Sequence, residues 1–148
     1  MTTPTTDLTQ RPPRSLRARL GGYALLPRAL DKGRAEIAGK GGEYHFNCPL
    51  DQRVLEFLGI DAEALKAELA KGKGDGEILE WIKAHQKNAH TPEEIEAWSD
   101  AASKRAPDAD SLEFFNGLLA ECGPNRKDIK TWADLLDLDD YASFGGKA

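Results

Sequence analysis

Apolar residues recur at helical spacing along most of this chain, and glycine or proline breaks the pattern at short intervals. Leu26, Leu30, Gly33 and Ile37 share one face of a helix starting near Pro27, a residue suited to a first turn. Gly33 in its middle costs about 1 kcal/mol against alanine, which points to a close approach by another backbone. Gly39, Gly41 and Gly42 end that helix. Leu50, Val54, Phe57 and Leu58 form the next apolar stripe, opening at Pro49 and closed by Gly59. Asp61 is placed to cap a helix with Leu65 and Leu69 inward, ending at Gly72. Ile78, Leu79, Ile82 and His85 mark another that begins near Asp75. Thr91-Pro92-Glu93-Glu94 is the clearest helix start, a capping box with proline at its first position, followed by Ile95, Trp98 and Ala102. Asp110 is expected to cap a helix carrying Leu112, Phe115, Leu119 and Cys122. Thr131 and Asp134 bracket a last one with Trp132, Leu135 and Leu136.

Three stretches depart from this pattern. Ser15 to Leu20 reads as a short helix stopped by Gly21-Gly22. In residues 43–47 the period drops to two, with Tyr44, Phe46 and Cys48 alternating with Glu43, His45 and Asn47. A strand so short needs a partner, and Tyr23 to Leu26 is the candidate; otherwise the segment is a packed extended linker. Residues 1–13, polar and containing Pro4, Pro12 and Pro13, read as a flexible arm, and residues 145–148 as a loose tail. The expected architecture is mainly α: a single domain over 14–144, a compact bundle of six to eight short helices with one extended segment near 43–47. No fixed-period repeat and no domain-splitting linker interrupts it.

At 148 residues the chain can bury a core without disulfides or a structural metal. Its net charge of −5 is unevenly spread. Residues 1–53 hold nine Lys/Arg against five Asp/Glu, and the rest holds eleven against twenty. Such asymmetry marks either an anion site or a basic segment that docks on the protein's own acidic helices. The overall acidity argues against a nucleic-acid partner. No apolar run is long enough for a membrane span, and the first residues lack a secretory pattern. Cys48 and Cys122 are too few and too far apart for a disulfide framework, so a cytoplasmic protein with free thiols is expected.

Chemistry concentrates in Tyr44-His45-Phe46-Asn47-Cys48-Pro49-Leu50-Asp51. Pro49 at the first helical position makes Cys48 the N-cap, where free N–H groups and the helix dipole favour a thiolate. His45, three residues upstream, is the candidate acid or base, and Asp51 either orients that histidine or opposes the thiolate. Against this stands Cys48 as a small buried filler, with Asn47 the true cap. A metal at His45, Cys48 and Asp51 lacks paired ligand spacing, so none is expected, and no cofactor motif appears. Glycine-lysine runs at 39–42 and 72–74 follow no strand and lack phosphate-loop order. Arg28 and Lys32 either pair locally or join Tyr23, Tyr44, Asn47 and Arg53 around an anion.

Gly21-Gly22-Tyr23, Leu26-Pro27-Arg28, Leu30-Asp31-Lys32, the run Gly42 to Asp51, and Gly59-Ile60-Asp61-Ala62 together resemble an uncharacterised bacterial family known only as a domain of unknown function. Thr91 to Ile95 and Trp132 to Phe144 extend the resemblance over nearly the whole chain. It implies a stand-alone helical bacterial protein and carries no activity over. The leading functional expectation is a pocket formed by segments 23–32 and 44–53 that holds a small anionic metabolite or a protein partner. The alternative is a thiol-dependent enzyme or redox protein using Cys48 with His45. The sequence leaves the oligomeric state open.

Overall fold

The computed structural model describes residues 5–147. In chain order it contains β1 (Arg19–Leu20), β2 (Tyr23–Ala24), α1 (Leu26–Ile37), α2 (Pro49–Leu58), α3 (Ala62–Leu69), α4 (Asp75–His85), α5 (Pro92–Lys104), α6 (Leu112–Cys122) and α7 (Trp132–Ser143). The protein is mainly helical, and the helices start and stop where the sequence chemistry dictates. Thr91 Oγ1 accepts from Glu94 N and Glu94 Oε1 accepts from Thr91 N, closing the expected capping box of α5. Thr131 and Asp134 close the same box on α7. Gly59 ends α2 in the left-handed conformation. α6 begins after Ser111, not Asp110.

The two strands lie elsewhere than expected. β1 and β2 pair antiparallel, Arg19 opposite Ala24 and Leu20 opposite Tyr23. Gly21 and Gly22 turn between them at φ 60° and 87°, the values a two-residue hairpin demands. The glycine pair is thus a hairpin turn and not a helix stop, so no helix forms over Ser15–Leu20. Residues 43–47 follow turns at 42–43 and 46–47, and pair with no strand. The expected partner, Tyr23, is already used by β1.

Part of the expected flexible arm is docked. Leu8 and Pro13 are buried, and Leu8 N donates to Lys40 O at 2.9 Å. The arm crosses Gly42 so closely that a Cβ there would sit 2.6 Å from Leu8 O. Residues 1–4 lie outside the described residues.

The main core gathers Leu16, Leu26, Leu30, Val54, Leu58, Leu65, Ile78 and Ile82. Each buried leucine or isoleucine contributes about 1.5–3 kcal/mol of transfer free energy. A second cluster holds Phe115, Ile129, Leu135 and Leu138. α7 bridges the two, since its Ala133 belongs to the first. Gly33 lets α1 meet α3: a Cβ there would lie 2.6 Å from Leu69 Cδ1 and 3.2 Å from the Phe46 ring. The close neighbours are side chains and not a backbone. Among the described residues no helix is long and apolar enough to cross a membrane.

Candidate functional site

α1 directs its cations inward. Arg28, Lys32 and Arg34 are 5%, 5% and 8% exposed, and each is matched by a carboxylate. Arg28 Nη1 lies 2.9 Å from Asp140 Oδ2 on α7, and Arg34 Nη1 lies 2.8 Å from Asp75 Oδ1 on α4. Arg14 bridges Asp31 and Asp75, Arg17 pairs with Asp134 and Asp137, and Arg19 with Asp100. The basic segment therefore docks on the protein's own acids, the second of its two sequence readings. Desolvation makes each buried pair costly to form and more costly to break on one side.

Arg28 also stacks over the Tyr44 ring at 5.6 Å, and Tyr44 Oη donates to Asp140 Oδ1 at 2.7 Å. Burial opposes the Arg28 charge, yet the hydrogen bonds of Asp140 outweigh it and hold the guanidinium above its ordinary pKa. Burial, then the bond to Asp140, pushes the Tyr44 phenol up.

The Cys48 segment folds around Lys32. Cys48 is the N-cap of α2, with Pro49 in the first turn, as expected, and it is half-buried. Asn47 does not cap through its side chain. It takes φ 64° and its backbone N–H donates to Asp51 Oδ2 at 2.9 Å. Lys32 Nζ reaches across from α1 and donates to Cys48 Sγ at 3.1 Å. The same nitrogen is 3.0 Å from Asp51 Oδ1. That oxygen is within ion-pair range but off the hydrogen-bond direction, so it accepts no hydrogen bond. Asp51 is completely buried. His45 is exposed and lies near Glu36, whose carboxyl it helps to lower after the larger contribution of Lys66. The sulfur's hydrogen-bonding neighbour is Lys32 and not His45, because the 46–47 turn breaks the local spacing that suggested the histidine.

Besides a cavity of about 440 Å³ lined by Asn47, Gln52, Glu56 and Lys87 among others, two more cavities are lined by candidate residues. One of about 210 Å³ is lined by Leu25, Leu50, Arg53, Trp98, Ala101, Ala102 and Arg105. Its walls are segments 23–32 and 44–53 together with α5. Arg53 and Arg105 have no ion-pair carboxylate among the described residues. Burial first, and then the Arg53 charge, push the Arg105 guanidinium below its ordinary pKa. Arg105 also sits over the Trp132 ring at 5.7 Å. Leu25, one of the lining residues, is held at φ 72°, a conformation rare for leucine and one that clusters at functional sites. The other cavity, about 470 Å³, is lined by Leu8, Arg28, Glu43, Tyr44, Asp139 and Ser143 among others. Burial, with Asp140 next to it, raises the Asp139 carboxyl.

The candidate residues thus separate, with Asn47 at the cavity beside α2 and His45 exposed near Glu36. Lys32, Cys48 and Asp51 meet; Arg28 and Tyr44 meet at Asp140; Arg53 stands apart at the small cavity. Tyr23 joins none of them and packs edge-on against Phe57 at 5.9 Å. Arg105 and Trp98 were not singled out from the sequence. Arg105 follows a run of helix-forming residues with no local motif, and Trp98 reads as an ordinary core position. Among the described residues no group of three or more His, Cys, Asp or Glu is arranged to hold a metal ion.

A family model described as a domain of unknown function (DUF5069) matches residues 10–142, and the chain belongs to that family. No curated protein matches the chain.

Proposed function

We propose that this DUF5069 protein binds a small anion with an apolar part in the cavity between Leu25, Leu50 and α5. The observation that carries the reading is the pair Arg53 and Arg105, two guanidinium groups on one cavity that form no ion pair among the described residues, Asp108 acting on Arg105 only from beyond ion-pair range. Arg14, Arg17, Arg19, Arg28 and Arg34, by contrast, each have an aspartate. Two like charges beside an apolar wall repel, and an anion between them relieves that repulsion. Guanidinium suits a carboxylate or phosphate because its forked N–H groups donate in parallel. Leu25, Leu50 and Trp98 supply contact for a short chain or a ring. The anionic ligand expected from the sequence is kept in this reading with Arg53, while Arg28 and Lys32 drop out and Arg105 joins.

Calorimetry with benzoate and phenyl phosphate, against inorganic phosphate and benzylamine, tests this. The aryl anions are expected to bind, inorganic phosphate more weakly, and benzylamine not at all. Arg53→Ala and Arg105→Ala are each expected to weaken aryl-anion binding by roughly tenfold, about 1.4 kcal/mol. Equal binding of benzylamine, or unchanged affinity in both variants, contradicts the reading.

A further inference from the structure

We propose that Lys32 and Cys48 form a reversible covalent link, a sulfenamide between Nζ and Sγ, when the protein meets hydrogen peroxide. Nothing in this depends on the anion cavity, which neither residue lines.

Three observations converge on the pair. Nζ and Sγ are already 3.1 Å apart, held by α1 and the start of α2. Lys32 is 5% exposed and is anchored at its tip, so the amine has little freedom to leave. Asp51, 0% exposed, holds its Oδ1 3.0 Å from the same nitrogen. The ion pair sets a carboxylate beside the amine, and a small rotation of the ammonium lets it take the proton that Nζ must lose before it can attack. The sulfur stands at the N-cap of α2 with the Lys32 ammonium beside it. Cys48 is half-buried and not sealed in the core.

The steps balance. The Cys48 sulfur attacks one peroxide oxygen, the O–O bond breaks, and sulfenic acid and water result, with the sulfur oxidised by two electrons. Lys32 Nζ gives a proton to Asp51 Oδ1, and its lone pair attacks the sulfur. The S–O bond breaks, and the leaving hydroxide departs as water with a proton from the attacking nitrogen. The product is short of two hydrogens relative to the starting pair. Two equivalents of an external thiol return amine and thiol and leave as disulfide. Capture by the amine ends the oxidation before the irreversible sulfinic stage.

Cys122 is the internal control: it too is half-buried, but burial, then Asp139, pushes its thiol up, and among the described residues no lysine hydrogen-bonds to it. The test treats folded protein with hydrogen peroxide and maps peptides without reductant. The expected result is a peptide pair joined through Lys32 and Cys48, lighter by two hydrogens. It should be separated by dithiothreitol and absent when the chain is oxidised in urea. Lys32→Arg keeps the cation but removes the nucleophile, so the link should vanish and dimedone capture of Cys48 should rise. The proposal is overturned if folded wild-type protein carries Cys48 to sulfinic acid with Lys32 unmodified. It is equally overturned if Cys122 oxidises while Cys48 stays reduced. The urea comparison stands even if the variant fails to fold.

Discussion

Ser99 is completely buried and holds the β-ribbon to α5: its Oγ accepts from Ala24 N at 3.0 Å and donates to Gly22 O at 2.7 Å. Ser99→Ala strands a buried N–H, and urea unfolding should show a loss of about 1–3 kcal/mol. Asp139 behaves in the opposite sense. Its folded pKa is raised by burial and by Asp140, so the folded state holds its proton more tightly. The stability it contributes is present below the unfolded value and is lost as pH rises through the folded one. Asp139→Asn should therefore raise the thermal midpoint at about pH 7 and leave it nearly unchanged near about pH 3. At this scale the sequence named Cys48, Asp51, Arg28, Lys32 and Tyr44, but it grouped Cys48 with His45 and Asp51 by proximity along the chain and set Lys32 apart as an anion ligand. His45 is three residues from Cys48, yet the group that reaches the sulfur is Lys32, sixteen residues away on another helix. Spacing within one element constrains such pairs, and crossings between elements do not show in it. Arg53 was legible as a cation. Its neighbour Arg105 was not, because only the packing of α5 beside α2 brings the two together.

The helices were readable because their caps and apolar stripes agree, as at Thr91–Glu94 and at Pro49–Gly59. The ribbon was not, since Gly21-Gly22 serves a helix stop and a hairpin turn equally well. The alternation over residues 43–47 imitates a strand, but its alternate residues serve separate contacts. Tyr44 reaches Asp140, and Phe46 packs over Gly33. α7 is tied to the start of the chain by charge at both ends. Arg17 pairs with Asp134 and Asp137 near its start, and Arg28 holds Asp140 near its end. Asp140→Ala leaves Arg28 buried and unpaired, and should cost about 3–5 kcal/mol in urea unfolding. Tyr44→Phe removes one hydrogen bond to the same carboxylate, so a loss of about 1.5–3 kcal/mol is expected. If Asp140→Ala proves no more harmful than Tyr44→Phe, the ion pair does not hold α7 in place.

Across the whole molecule, the basic start of the chain folds onto acids contributed by α4, α5 and α7. The sequence displayed this imbalance but not its destination, because a run of arginines looks the same whether it waits for a ligand or for the chain's own aspartates. The pairing sets an acid limit. Against the opposing effect of burial, Arg14 and Arg34 hold Asp75 below its ordinary range, and Arg19 does the same for Asp100. Carboxylates lowered in the folded state add stability above their unfolded pKa, and that stability is lost as pH falls through the folded value. Unfolding free energy measured along a pH series should therefore fall below about pH 4. Arg14→Ala should flatten that slope.

The most direct test of the anion cavity is a titration with benzoate followed by the three tryptophan indole N–H signals and the Arg53 and Arg105 side-chain Nε–H signals. Trp98 lines the cavity and Trp132 lies under Arg105, whereas Trp81 stacks on His85 instead. Saturable shifts of Trp98 and both arginines, with Trp81 unmoved, are the predicted result. An unmoved Trp98, or shifts that Trp81 shares equally, would contradict the account.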